Sequence, residues 1–202
     1  MLPILTGTVL TTLLYLALVG SLTNGVLAGP AKRLLDARAS PDNTVLIEGS
    51  ENFCLIVPKT SYTNIGNSER PGGTTTYCTR AAIYDSKQGE LSPDFWTNVE
   101  HYVGSGVNGG RYTQLTGCIN PSTLDRLNSD DDGGQYDSSG GSFGTGNPEG
   151  SVCLGYNHYI ELIEPSSPRA CIRCCEDAED CPTQADKDGC PAVVPGNYFD
   201  CD

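Results

Sequence analysis

Apolar residues in this chain cluster in short runs of strand length, separated by stretches rich in Gly, Pro and Ser. Phe53-Cys54-Leu55-Ile56-Val57, closed by Pro58, predicts a buried strand. A polar loop from Ser61 to Thr76 follows, with Pro71-Gly72-Gly73 inside it, and Tyr77 to Tyr84 is a second strand candidate. Phe95 to Val103 is rich in aromatic and β-branched residues, and the Gly-rich loop Gly104 to Gly110 joins it to Arg111–Ile119, which predicts a hairpin. Residues 128–150 are mostly Asp, Gly, Ser and Asn and read as a long loop too polar to pack a core of its own. The strongest β pattern is Tyr156 to Glu164. Pro165-Ser166-Ser167-Pro168 turns the chain back through Arg169–Cys174, a geometry that pairs Glu164 with Arg169 and sets Leu162 opposite Cys171. From Cys174 to Asp202 no period is sustained, so loops stapled onto the sheet are expected. No helical pattern of three or more turns follows residue 50. The expected fold is all-β: a small disulfide-stapled antiparallel β-sandwich or barrel with long loops and an irregular cysteine-rich C-terminal tail.

The N-terminal pattern is of another kind. Leu10 to Val19 is an apolar run of secretory length, and Val26 and Ala28 supply the −3 and −1 positions for cleavage before Gly29, so residues 1–28 read as a signal peptide. A membrane anchor is the rival reading, but the run falls short of the roughly 20 apolar residues a span requires, and Gly20, Thr23, Asn24 and Gly25 interrupt it. No later run could cross a bilayer, and the polar end Tyr198-Phe199-Asp200-Cys201-Asp202 excludes a lipid-anchor signal. Lys32-Arg33 is either a dibasic processing site or a pair of solvated charges. Residues 29–50 read as a mobile pro-region or linker, and residues 51–202 as a cysteine-rich β-domain.

Composition explains how so small a core could hold. Hydrophobic residues make up 38% of the chain, with one Met and four Phe, while 24 Gly and 13 Pro favour turns. The ten cysteines, Cys54, Cys78, Cys118, Cys153, Cys171, Cys174, Cys175, Cys181, Cys190 and Cys201, all lie beyond the signal segment. In a secreted chain an even count predicts a disulfide framework, here five bridges drawn from on the order of 900 pairings. Each bridge would stabilise the fold by roughly 2–4 kcal/mol, chiefly by restricting the unfolded chain. The spacing Cys171-x-x-Cys174 followed by Cys181 and Cys190 also suits zinc, a reading that an oxidising compartment disfavours. The adjacent Cys174-Cys175 could form a vicinal bridge, although two separate partners is the commoner use.

The net charge is −13, and loss of Lys32 and Arg33 on processing would take it to −15. Such a surface repels nucleic acid and anionic lipid, so neither is expected as a partner, nor is a membrane after signal removal. It suits an extracellular location and could favour cationic partners.

Candidate chemistry is sparse. Asn128-x-Asp130-x-Asp132-Gly133 matches the first half of an EF-hand calcium loop, where alternate oxygen ligands precede a Gly turn. The second half departs from it, because position twelve is Ser139 and no helices flank the loop; a solvated acidic loop is the alternative. Calcium is the one cofactor the sequence suggests. Gly140-Gly141-Ser142-Phe143-Gly144 fits G-x-S-x-G formally but lacks the strand and helix of a nucleophile elbow. His101 and His158 lie in predicted strands, and nothing selects a Ser and an Asp to join either; a shared zinc would require their strands to adjoin. Glu161 and Glu164, three apart on a strand, face opposite sides and cannot flank one glycosidic bond. Trp96, Tyr102, Tyr112, Tyr156 and Tyr159 could pack the core or build a carbohydrate-binding or peptide-binding face. Asn120-Pro121-Ser122 carries the Pro that forbids N-glycosylation. No catalytic residue is assigned.

The order Tyr112-Thr113-Gln114-Leu115-Thr116-Gly117, Gly133-Gly134-Gln135-Tyr136-Asp137, Cys153-Leu154-Gly155-Tyr156, Glu161-Leu162-Ile163-Glu164-Pro165, Cys171-Ile172-Arg173-Cys174-Cys175, Asp180-Cys181-Pro182 and Gly196-Asn197-Tyr198 resembles a family of small secreted fungal cysteine-rich proteins. The resemblance spans roughly residues 51–202. It implies secretion and a fungal source, and it transfers no catalytic residue. The expected function is that of a non-enzymatic effector or interaction protein in the apoplast or at the cell wall, with a host apoplastic protein or a wall polysaccharide as partner. A carbohydrate-binding module and a secreted hydrolase are the alternatives.

Overall fold

The fold is seen in a computed structural model that describes residues 41–201. The expected signal peptide with Ala28, the Lys32-Arg33 pair and the rest of 1–40 lie outside the described residues. Ten strands form two five-stranded sheets. One has the order β4-β3-β2-β1-β8, built from β1 (Thr44–Gly49), β2 (Asn52–Pro58), β3 (Thr74–Cys78), β4 (Gly89–Glu90) and β8 (Val152–Cys153). The other has the order β5-β6-β10-β9-β7, built from β5 (Trp96–Ser105), β6 (Arg111–Ile119), β7 (Gly134–Asp137), β9 (His158–Glu164) and β10 (Arg169–Cys175). The sheets pack as a sandwich and close no barrel. All long pairings are antiparallel; two short edge strands, β8 beside β1 and β4 beside β3, run parallel. Two one-turn helices, α1 (Ile65–Ser68) and α2 (Cys190–Val193), interrupt the loops.

Period-two alternation accounts for the two-sided burial of β9 and β10. Tyr159, Ile163, Ala170, Ile172 and Cys174 face the first sheet and join Val45, Ile47, Phe53, Leu55 and Val57 in the main core. Ile160, Leu162, Cys171 and Cys175 face the other way, where Cys181, Cys190, Val193 and Val194 of the tail cover them. The hairpin register is the one the sequence predicts, with Glu164 opposite Arg169 and Leu162 opposite Cys171. Glu164 also ion-pairs with Arg169 and accepts the backbone N–H of Cys190, so one carboxylate ties the hairpin end to α2.

Three expectations are corrected. The folded unit begins before Glu51: Thr44–Gly49 is a strand whose Val45, Leu46 and Ile47 are buried, not part of a mobile linker. The strand placed at Tyr77–Tyr84 occupies Thr74–Cys78 instead, because the alternation Thr74, Thr76, Cys78 points one buried row across β2, while Thr79–Ala82 closes a turn. The long loop 128–150 contains β7, whose Tyr136 is fully buried opposite Glu161. A polar stretch can hold a strand when one large side chain supplies the burial and local contacts satisfy the rest. Asp137 Oδ1 accepts the N–H groups of Ser139 and Gly140, and Ser68 Oγ hydrogen-bonds the Tyr136 hydroxyl.

The ten cysteines form five bridges, with no free thiol. Cys54–Cys78 joins β2 to β3, and Cys153–Cys174 joins the two sheets through β8 and β10. Cys118–Cys201, Cys171–Cys190 and Cys175–Cys181 fasten the tail to the outer face of the second sheet. The hairpin β5–β6 turns through Gly106–Gly110, where Gly109 has φ +78°, and the tail grips this turn through Asp180 Oδ1, which accepts the Val107 N–H at 3.0 Å.

Glu161 is the one carboxyl sealed between the sheets. Both its oxygens lie 3.1 Å from the backbone N–H of Ile56, a β2 group that it satisfies from across the interface. Burial holds this carboxyl protonated well above its ordinary value of 4.5, and only the Ile56 N–H pulls the other way. The phenols of Tyr136 and Tyr159 both feel the charge of Glu161, and burial pushes both well above their ordinary value.

Two outcomes follow. In the chain-entropy view, losing the 83-residue span of Cys118–Cys201 costs more than losing the six-residue span of Cys175–Cys181. Double Ser variants measured by denaturant unfolding should lose about 4–5 and about 2 kcal/mol respectively. Glu161 acts through pH. Above pH 4.5 the unfolded chain ionises at this position while the folded one does not, so stability falls as pH rises until the folded value is passed. Unfolding free energies across pH 4–8, compared between the parent and Glu161→Gln, should diverge by up to about 1.4 kcal/mol per pH unit, with the variant gaining at the alkaline end.

Candidate functional site

The sheets part along one side, between the β4 edge of the first and the β5 edge of the second. There they leave a cleft of about 450 Å³, within the range of small-molecule sites. The β1–β2 turn contributes Ser50 and Glu51, the segment after β3 contributes Thr79 and Arg80, β4 contributes Glu90, and the start of β5 contributes Trp96 to Val99. Each is there for a local reason. Trp96 begins the hairpin strand and faces inward, where its ring meets Phe53 at 6.1 Å and Phe95 at 5.4 Å between centroids. A bulge between Trp96 and Asn98 breaks the ladder with β6, so Thr97 and Asn98 are both exposed at the mouth. Arg80 and Glu90 meet at 2.9 Å because β4 returns parallel beside β3. The Trp96 indole N–H is buried and has no hydrogen-bond partner among the described residues.

The residues singled out from the sequence are scattered. In the candidate calcium loop Asn128 Nδ2 donates to Asn64 Oδ1, its Oδ1 accepts the Asp130 N–H, and Asp132 accepts from Ser166. The structural role in that loop falls to Asp131, which is buried and accepts the Ile65 N–H at 2.7 Å, starting α1. Among the described residues no three His, Cys, Asp or Glu side chains form a metal-holding group. The four zinc-spaced thiols Cys171, Cys174, Cys181 and Cys190 are all oxidised, and Cys174 and Cys175 take separate partners.

His101 on β5 and His158 on β9 are separated by β6 and β10, so they cannot share an ion. Burial lowers the His101 pKa, and its Nε2 meets Thr113 Oγ1 at 2.9 Å. His158 Nδ1 lies 3.2 Å from Ser139 Oγ. Phe143, inside the G-x-S-x-G stretch, is wholly exposed in a short 3-10 turn. Glu161 is in the core and Glu164 in the ion pair at the hairpin end, on opposite faces as expected.

Among the aromatics, Tyr159 is core and Tyr156 packs partly against it. Tyr102 and Tyr112 pair at 5.9 Å on the outer face of the second sheet, with the Arg173 guanidinium 4.7 Å from the Tyr112 centroid. Of the cleft residues the sequence marks Trp96 alone. Glu51, Arg80 and Glu90 lie in segments without period, and only the pairing of β4 with β3 brings the last two together.

Comparison with protein-family models, with curated proteins and with solved structures finds no match to the chain. The fold itself defines the class: a disulfide-stapled β-sandwich with a covalently fastened tail.

The Arg80 and Glu90 side chains are 85% and 45% exposed. Arg80→Ala should therefore change the unfolding free energy by less than about 0.5 kcal/mol in denaturant titrations, leaving it a clean probe of the cleft.

Proposed function

We propose that the chain is a secreted fungal interaction protein of the effector type, acting by binding in the apoplast or at the cell wall. The observation that supports its secreted character is the complete oxidation of its cysteines in five bridges, a set typical of an oxidising compartment, while the effector role rests on the resemblance to small secreted fungal cysteine-rich proteins. A net charge of −13 supports the extracellular assignment, because it favours solubility and disfavours nucleic acid and anionic lipid. The cleft beside Trp96 supports binding as the mode of action. Its walls belong to both sheets, so a ligand there would contact residues from each.

Two measurements test the reading together. Expressed with its own N-terminus in a fungal secretory host, the protein should accumulate in the medium with a mature end at Gly29 or, after dibasic processing, at Leu34. Deletion of the gene from the source fungus should leave growth in culture intact and reduce host colonisation. Retention inside the cell, or undiminished colonisation, would count against it.

A further inference from the structure

We infer that the cleft between β4 and β5 is a binding site for a neutral saccharide, with Trp96, Arg80 and Asn98 as its recognition residues. The inference rests on the binding role proposed above and names the chemistry of the ligand.

Four features of the cleft select this class. Its lining mixes apolar and polar groups at close spacing. Phe53, Leu91 and Trp96 lie beside Thr79, Arg80 and Asn98. A pyranose has the same mixture, with apolar C–H faces and a rim of hydroxyls, and the negative face of an aromatic ring suits the former. Second, Trp96 is the aromatic residue of the lining that is only partly buried, so its ring can meet a C–H face of the sugar.

Third, the charges nearly balance. Arg80 is paired with Glu90, and Glu51 adds one negative charge, so an anionic ligand gains no net attraction there. The guanidinium and carboxylate are planar groups with several donors and acceptors, suited to vicinal hydroxyls. Fourth, the β5 edge at the cleft mouth is a poor template for a peptide. Strand addition needs a regular ladder of backbone groups, and the bulge between Trp96 and Asn98 removes that regularity where the cleft opens.

Trp96 is the only tryptophan, so its emission reports on this cleft alone. The secreted protein would be titrated with neutral hexasaccharides of β-1,3-glucan, β-1,4-glucan, xylan and chitin, following Trp96 fluorescence and binding heat. A parallel titration would use a library of unstructured peptides. The expected result is saturation by at least one saccharide with a shift in Trp96 emission. Arg80→Ala and Asn98→Ala, both exposed positions, should each weaken it about tenfold with an unchanged melting temperature. Trp96→Leu, followed by heat alone, removes the aromatic face and should weaken binding to a similar degree. Saccharide binding unaffected by all three variants would place the site elsewhere and overturn the inference. A response to peptides but not to saccharides would overturn the ligand class while leaving the binding role standing. Silence towards both would overturn the ligand class and count against the cleft as the place where the protein binds.

Discussion

The fastening of the tail to β6 and β10 is the constraint on which the rest depends. The second sheet has two apolar faces, and the first sheet covers only one. The other would be open to water if Cys181, Cys190, Val193 and Val194 were not laid over it. Among the described residues the tail has no strand, and only three single helical turns, Ala178–Asp180, Asp186–Asp188 and Cys190–Val193, with which to hold that position. Burial alone recovers too little to order such a segment, since each residue fixed loses about 1–2 kcal/mol of backbone entropy. Three disulfides and the Glu164 contact to the Cys190 N–H restrict it instead. With the outer face closed, β9 and β10 become central and dry. A carboxyl as deeply placed as Glu161 can then persist in the neutral form.

Much of this was legible in the chain. Both long hairpins announce themselves through runs of β-branched and aromatic residues around a Gly-rich or Pro-rich turn, and the pairing of Glu164 with Arg169 follows from the length of that turn alone. What escaped notice has a common cause. Val45-Leu46-Ile47 was overshadowed by the breaker Ser40-Pro41-Asp42-Asn43 just before it, although three consecutive apolar residues are enough for a central strand with neighbours on both sides. In Gly134–Asp137 only Tyr136 is apolar, so the pattern carries a single point of burial and no period. Its strand character comes from pairing with β9, a contact that local composition does not encode.

The site was less legible than the fold. The sequence drew attention to the acidic run Asn128–Asp132 and to two histidines, because those residue types carry familiar chemistry. In the fold Asp130 and Asp132 stay exposed and the histidines half-buried, while Asp131, between the marked positions, is buried and satisfies the Ile65 N–H. The cleft draws instead on Glu51, Arg80, Glu90 and Trp96, brought together by the way two sheets diverge at one edge. Such a surface arises from tertiary geometry, and Trp96 was its single visible marker.

The bridge pattern also bears on how the molecule is made. Were the chain to meet oxidising conditions from its N-terminus, Cys54 would find its native partner as soon as Cys78 followed. Cys118 has no such fortune. Cys153, Cys171, Cys174, Cys175, Cys181 and Cys190 all arrive before Cys201, its native partner. Pairing in order of arrival would trap it with the wrong thiol, and exchange through mixed disulfides would be needed to free it. Stepwise oxidation of this small sandwich therefore calls for thiol–disulfide exchange before Cys118 reaches Cys201.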